Sequence, residues 1–228
     1  LHDAALQKLP IMLALDRAGF VGEDGATHHG VFDVAIINSI PYTEIYSPEC
    51  FEDMKYSFDR ALESRRCVSV RYPKGSPEEY DRTIFKKTGD LFYCDFGSEP
   101  SVFIITYGRI TKNALLAASN LNEHGVSTRV VKLVCIKPID FDVLTELGMG
   151  TRCIYVLEEG IKTGGVGEVI IGRFCETGFT NGKKVKIRAI DDVFVPHGSN
   201  TYLYRECGFM PEQIAAEILE MTNDESAS

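Results

Sequence analysis

Short apolar runs alternate along the chain with polar, glycine-bearing connections, and the period of each run predicts its element. IMLAL (11–15) is continuously apolar and stops at Asp16, the pattern of a strand buried on both faces. VFDVAIINSI (31–40) reads as a short helix or a turn-rich apolar segment, and YTEIYSP (42–48) as a strand closed by Pro48. ECFEDMKYSFDRALES (49–64) sets Phe51, Met54, Phe58 and Leu62 near helical spacing, with Glu49, Glu52 and Asp53 at the start, where the helix dipole favours acid. CVSVRYPKG (67–75) is a strand running directly into a Pro-Gly turn. The opening LHDAALQKLP reads as the last turns of a helix stopped by Pro10, which implies a fragment or one piece of a larger assembly.

Residues 76–100 mix charged, aromatic and turn residues without a period. They divide the chain into a first unit (1–75), a linker (76–100) with room for short strands packed on either neighbour, and a second unit (101–228). In the second unit VFIITYG (102–108), STRVVKLVCIKP (127–138), CIYVLEEG (153–160) and KVKIRAIDD (184–192) read as strands. ITKNALLAASNLNEHG (110–125), FDVLTELG (141–148), VGEVIIGRFCETG (166–178) and PEQIAAEILEM (211–221) read as helices, and the tail NDESAS as frayed. Four strands with intervening helices predict a compact α/β domain with a mostly parallel sheet.

Composition narrows the function. Of 228 residues, 24 are Lys or Arg and 33 Asp or Glu, a net charge of −9 with no basic run, which argues against a nucleic-acid partner. A small anion remains compatible, because one or two arginines suffice to hold it. No apolar run is long enough to span a bilayer, and no signal-peptide pattern opens the chain. Seven cysteines, an odd number without a CxxC pair, fit a reduced cytoplasmic setting.

The candidate chemistry lies in DRAGFVGEDGATHHGVFD (16–33), which follows the first strand where open α/β sheets place ligand sites. Arg17 stands one residue past that strand, and Arg71 at the end of CVSVR. Two guanidiniums at strand ends would clamp a phosphate or carboxylate, with a structural ion pair as the competing reading for each. His28 and His29 offer acid–base groups near neutral pH, or one ties the loop to backbone carbonyls. No Cys or further His stands at metal-ligand spacing. Asp24 is either a site carboxylate or an Asx-turn residue. GIKTGGVGEV (160–169) could hold an anion at a helix start, or pack closely against a partner subunit. Glu158 and Glu159 are buried carboxylates or loop surface, His197 in VFVPHGS a structural or interface residue, and Cys50 and Cys67 core.

DRAGFVGEDGATHHGVFD strongly resembles the pyrimidine-domain motif of the 1-deoxy-D-xylulose-5-phosphate synthase family, thiamine-diphosphate enzymes related to transketolase. LHDAALQKLP and VSVRYPKG resemble its flanks, and EEGIKTGGVGE and DDVFVPHG its C-terminal domain, so the likeness spans essentially the whole chain. The resemblance implies an α/β fold in two parts, a truncated pyrimidine-binding domain and a transketolase C-terminal domain. It implies a transferase that joins pyruvate to D-glyceraldehyde 3-phosphate with loss of CO2, for isoprenoid, thiamine and pyridoxal synthesis. Arg17 and Arg71 would grip the aldehyde's phosphate, Asp24 would position that substrate, and His28 would manage protons beside the reacting carbon. His29 looks like a loop-shaping neighbour. The family binds thiamine diphosphate through Mg2+ with a GDG-type motif, which is absent here; GDLF (89–92) lacks its glycine. The activating glutamate and the stacking aromatic are expected upstream of Leu1, so the chain alone is expected to be inactive, with no cofactor or metal ligands of its own. Members are homodimers, and the missing half is expected in cis or in trans. Competing readings are transketolase, an E1 β-type subunit of a 2-oxoacid dehydrogenase, and a non-catalytic remnant or binding module.

Overall fold

The computed structural model describes residues 1–223, and most of the tail NDESAS lies outside them. Two sheets organise the chain. The first contains β1 (Met12–Leu15), β2 (Thr43–Tyr46) and β3 (Cys67–Arg71) in the order β1-β3-β2, all parallel. Helices α1 (Asp33–Asn38) and α2 (Phe51–Glu63) connect them. The second sheet has six strands. Its parallel part is β10 (Lys184–Ile190), β9 (Cys153–Ile161), β6 (Val102–Tyr107) and β7 (Thr128–Leu133); β5 (Leu91–Phe96) and β4 (Lys86–Thr88) extend it antiparallel. The fold is therefore α/β with a mixed sheet. Residues 86–96, within the expected linker, are two of its strands.

β6 and β9 are buried at every position between two helical layers, apolar along most of their length, with Glu158 and Glu159 as the acids of β9. One layer contains α3 (Thr111–Glu123) and α7 (Pro211–Asn223), which sandwich Ile104, Val130 and Tyr155 with Leu121 and Ile218. On the other face Phe103, Ile105 and Val156 meet α4 (Phe141–Leu147), α5 (Val166–Glu176) and Val34 of α1. The first unit thus packs directly on the second. STRVVKLVCIKP, expected as one strand and a loop, does more: at Val134 it leaves the second sheet, and β8 (Cys135–Lys137) joins the first, antiparallel to β2.

Three expectations change. IMLAL is a strand but not a buried one: Met12 and Leu13 are 40% and 41% exposed, because β1 is the edge of its sheet. Residues 2–8 form successive turns rather than helix, with Lys8 in the left-handed region at φ 55° ahead of Pro10. α2 exists, but its buried stripe is Asp53, Ser57 and Ala61, while Phe51 and Leu62 face outward at 76% and 78% exposed. The buried acid at Asp53 is matched by Lys132, described below. One short helix, α6 (Asn200–Glu206), had no expectation; Ser199 caps it by accepting from the Tyr202 N–H. All seven cysteines are free thiols. No helix among the described residues is long and apolar enough to cross a membrane.

Candidate active site

β1 and β3 are parallel neighbours, with Leu15 opposite Arg71, so the chain leaves both at the same end of the sheet. The glycine-rich loop begins there. Arg17 takes φ 63°, a conformation that costs a non-glycine residue about 1–2 kcal/mol and that collects at functional sites. The loop closes on itself where Gly19 and Gly30 exchange backbone hydrogen bonds, and the Gly30 N–H also reaches the Arg17 carbonyl at 3.1 Å. A Cβ on Gly30 would lie 2.3 Å from that carbonyl oxygen, so only glycine allows the approach.

Arg17 and Asp24 of the loop gather with Lys74 from the turn after β3. Lys74 Nζ donates to Asp24 Oδ2 at 2.7 Å, and Arg17 Nε lies 3.7 Å from the same oxygen. The Lys74 hydrogen bond, supported by Arg17 and His28, holds the Asp24 carboxyl below the usual carboxylate range. Arg17 Nε is buried without a hydrogen-bond partner, although the side chain as a whole is 41% exposed. His28 is exposed and its Nδ1 sits 2.9 Å from Thr27 Oγ1, which leaves Nε2 available to a ligand.

The two histidines divide the expected roles. His29 is buried; its Nδ1 accepts from the Val21 N–H at 3.1 Å and its Nε2 meets the Pro196 carbonyl at 3.1 Å. It is the residue that ties the loop to backbone, here to both units. His197 is exposed and packs against Gly25, whose Cβ position would be 3.2 Å from the His197 Cβ.

Arg71 is placed differently from Arg17. It is 3% exposed, with Nε on Asp33 at 3.0 Å, Nη1 on Ser47 at 3.2 Å and Nη2 on the Gly30 carbonyl at 2.8 Å. Its charge fixes the loop's exit from below, whereas Arg17 and Lys74 present theirs at the surface. Lys74, one Pro beyond the Tyr72 that follows Arg71, was legible only as a turn residue in RYPKG.

The second unit braces the loop through Glu159, one of two adjacent buried carboxylates in β9. Glu159 Oε1 accepts from the Phe20 N–H at 2.8 Å and from Tyr204 Oη at 3.1 Å, and burial raises its pKa to about 7. A Cβ on Gly19 would fall 2.5 Å from the Glu159 carboxyl carbon, so the glycine makes room for that carboxylate. Glu158 accepts from Tyr107 Oη at 2.9 Å and from the Val166 and Gly167 N–H groups, both at 3.0 Å. The helix start in GIKTGGVGEV is therefore taken up by an acidic group of the chain itself, the Glu158 carboxyl. Burial pushes its pKa up as well.

Whether these residues suit a thiamine diphosphate–Mg2+ pair turns on the acidic groups. Among the described residues, Glu49, Cys50 and Asp53 come close enough together to share a cation. Lys132 Nζ already occupies that position, 2.9 Å from Glu49 Oε1 and 3.0 Å from Asp53 Oδ2, and Tyr80 Oη donates to Glu49 as well. The cluster is compensated internally and does not fit Mg2+.

Comparison with known proteins places this geometry. Residues 1–78 match the family model of the transketolase pyrimidine binding domain, and residues 97–214 that of the transketolase C-terminal domain. The chain is 34% identical over 208 residues to 1-deoxy-D-xylulose-5-phosphate synthase of Clostridium acetobutylicum, covering 90% of this chain and 33% of that protein. It is 35% identical over 227 residues to the synthase of Azobacteroides pseudotrichonymphae, covering 96% and 35%. The chain thus spans about a third of the length of the curated relatives it matches. Among solved structures, a split gene transketolase described as an inactive beta4 tetramer superposes with a TM-score of 0.77 at 25% identity, over 96% of this chain and 69% of that one. Transketolase from Campylobacter jejuni shares the fold, with a TM-score of 0.70 at 16% identity over 95% and 32%.

Proposed function

The chain belongs to the transketolase-like family of 1-deoxy-D-xylulose-5-phosphate synthases, whose members are transferases, and from that premise we propose that it supplies the aldehyde-substrate half of such an active site. The reaction proposed is condensation of pyruvate with D-glyceraldehyde 3-phosphate, forming one C–C bond and releasing CO2, in a cytoplasmic enzyme. The observation that carries this reading is the cationic, strained Arg17 beside Lys74 and Asp24 at the end of β1. Arg17 and Lys74 hold the phosphate, Asp24 orients the aldehyde by accepting from its hydroxyl, and His28 Nε2 moves a proton at the carbonyl oxygen. Arg71 supports the same phosphate site by fixing Gly30 and with it the loop. Thiamine diphosphate and Mg2+ fall to the remainder of the fold that the relatives carry, in cis or as a separate subunit. On its own the chain is inactive and self-associates, as a homodimer or a larger assembly; the split gene transketolase it resembles is described as an inactive tetramer.

Calorimetry with thiamine diphosphate and Mg2+ should give no binding to the chain alone. Mixed with a polypeptide carrying the remainder, it should bind both and release CO2 from pyruvate when the aldehyde phosphate is present. In that mixture Arg17→Gln should raise KM for the aldehyde phosphate at least about tenfold, with a smaller change in kcat. Tight cofactor binding by the chain alone, or an unchanged KM in Arg17→Gln, would overturn the reading.

A further inference from the structure

Between Arg17 and Asp24 the glycine-rich loop hangs from two titratable side chains. Ala18 and Gly19 are held by backbone, on the Tyr72 and Gly30 carbonyls. The next two amides are not: the Phe20 N–H donates to Glu159 Oε1 at 2.8 Å, and the Val21 N–H to His29 Nδ1 at 3.1 Å. Beyond Val21 comes the turn Gly22–Asp24, which carries Asp24 to Arg17 and Lys74. Among the described residues its one backbone tie to the second unit is a long bond, 3.3 Å from the Gly198 N–H to the Gly22 carbonyl. The position of Asp24 therefore depends on what His29 can accept.

The contacts of His29 fix where its hydrogen sits. A carbonyl only accepts, so Nε2, 3.1 Å from the Pro196 oxygen, carries the hydrogen, and Nδ1, which faces the Val21 N–H, carries none. A proton added at Nδ1 sets two donors against each other and removes the Val21 bond, whereas the Nε2 bond to Pro196 survives. The ring is 7% exposed. Around it stand the Phe20 ring at 5.4 Å, seated on Glu159 and Tyr204, its sequence neighbour His28, and His197 beside Pro196. Among the described residues no carboxylate lies within ion-pair distance of either ring nitrogen. A charge on the buried ring is thus uncompensated, and the ring gains it most readily once Val21 has moved away. Glu159 responds in the opposite sense. Its pKa of about 7 leaves the carboxyl neutral in acid, which favours its buried place, so Phe20 keeps its seat while Val21 loses its own.

We propose that His29 is a proton-operated latch on the loop: neutral, it pins Val21 and sets Asp24 beside Arg17 and Lys74; protonated, it frees residues 21–24 while Phe20 stays fixed. The latch makes the geometry of a site in the first unit depend on a histidine docked on the second, through Pro196. Its bearing on substrate, that acid weakens the hold on the aldehyde phosphate, rests on the reaction proposed above; the movement of the loop does not.

The test is amide hydrogen exchange, read by nuclear magnetic resonance on the isotope-labelled 228-residue chain, from about pH 8 to about pH 5.5. The ring nitrogens of His29 are followed in the same samples. At the alkaline end the ring should show its hydrogen on Nε2. As Nδ1 takes up a proton, protection of the Val21 amide should fall at least about tenfold, and that of Phe20 should stay within about twofold. His29→Asn keeps an acceptor in the Nδ1 position but cannot titrate. It should hold Val21 protection within about twofold over the range, with circular dichroism showing the fold intact. A side chain that only filled space would change protection equally at every pH. Val21 protection that stays flat while the ring titrates, or a ring that takes up no proton in this range, would overturn the proposal. So would loss of Phe20 together with Val21, which is opening of the loop as a whole. The parent's own profile decides the matter even if His29→Asn does not fold. No substrate is present, so the two readings fail separately. A titrating Val21 beside an unchanged KM in Arg17→Gln keeps the latch and removes the reaction; a flat Val21 beside a raised KM does the reverse.

Discussion

Glu159 is a carboxylate kept where a charge is unwelcome: 5% exposed, at the end of an entirely buried strand, yet committed to the backbone of the loop through Phe20. Its folded pKa of about 7 stands above the ordinary 4.5, so the folded state binds the proton more tightly than the unfolded one. The resulting stability is present in full below about pH 4.5 and is lost as pH rises toward 7, by about 3 kcal/mol for a shift of this size. Glu159→Gln keeps an acceptor for Phe20 and Tyr204 but removes the titration. Urea denaturation from pH 5 to pH 8 should therefore show a flatter stability profile in Glu159→Gln than in the parent; identical slopes would mean that Glu159 does not titrate in this range. Residues of this kind were only half legible. Arg17, Asp24 and His28 could be named because a loop rich in glycine, placed after a strand, concentrates rare polar types. Glu159 is more than a hundred positions away in sequence and looks like any strand-end acid; only the fold brings it under Phe20. Arg71 was visible as a cation at a strand end, but its partner Asp33 is 38 residues away in sequence, and no pattern announces that the guanidinium is buried.

Among the elements, α2 and β7 show how a buried charge can join two units. The helix lays Asp53 on its inner face, and β7 answers with Lys132, which also bonds Glu49 and lies over the Phe85 and Phe92 rings at 5.2 and 5.1 Å. All three charged side chains are at most 7% exposed, so neither carboxylate can turn to water if the ammonium is taken away. Lys132→Met preserves the volume, takes the ammonium from Asp53 and leaves Glu49 to Tyr80 and to Arg82 Nε at 3.9 Å, and should cost about 3–5 kcal/mol in urea denaturation. A cost below about 1 kcal/mol would show that the two units are not held together here. The apolar runs that defined β2, β3, β6, β9, β10, α5 and α7 were legible because burial between layers leaves a continuous or periodic hydrophobic trace. What escaped the pattern were elements whose faces are set by charge or topology. The inward stripe of α2 is Asp53, Ser57 and Ala61, which has no apolar signal; β4 and β5 follow a charged, aperiodic stretch; and β8 is three residues long, defined by the sheet it reaches.

For the whole molecule the decisive feature is that one sheet ends on a strand suited to a sheet interior. β1 bonds β3 on one side only, and among the described residues nothing pairs its outer edge. Successive side chains on a strand face opposite ways, so the matching exposure of Met12 and Leu13, 40% and 41%, means that neither face of the sheet is covered there. Leu6 and Leu9 add apolar surface in the turns just before it, at 67% and 39% exposed. The usual protections of an edge, a charge or proline within the strand or a bulge, are absent from MLAL. A strand in this state pairs with whatever presents a complementary edge. With no other polypeptide present, that is a second copy of the chain. Sedimentation velocity at micromolar concentration should thus find species heavier than the 25.4 kDa monomer. Leu13→Lys, which places a charge on the exposed edge without touching the loop or the second unit, should return the chain toward monomer. A polypeptide that restores the sheet beyond β1 should dissolve the self-association by competing for the same edge. If the parent sediments as a monomer, the edge is sealed in solution, and the site built at the end of β1 and β3 must be completed by contacts elsewhere.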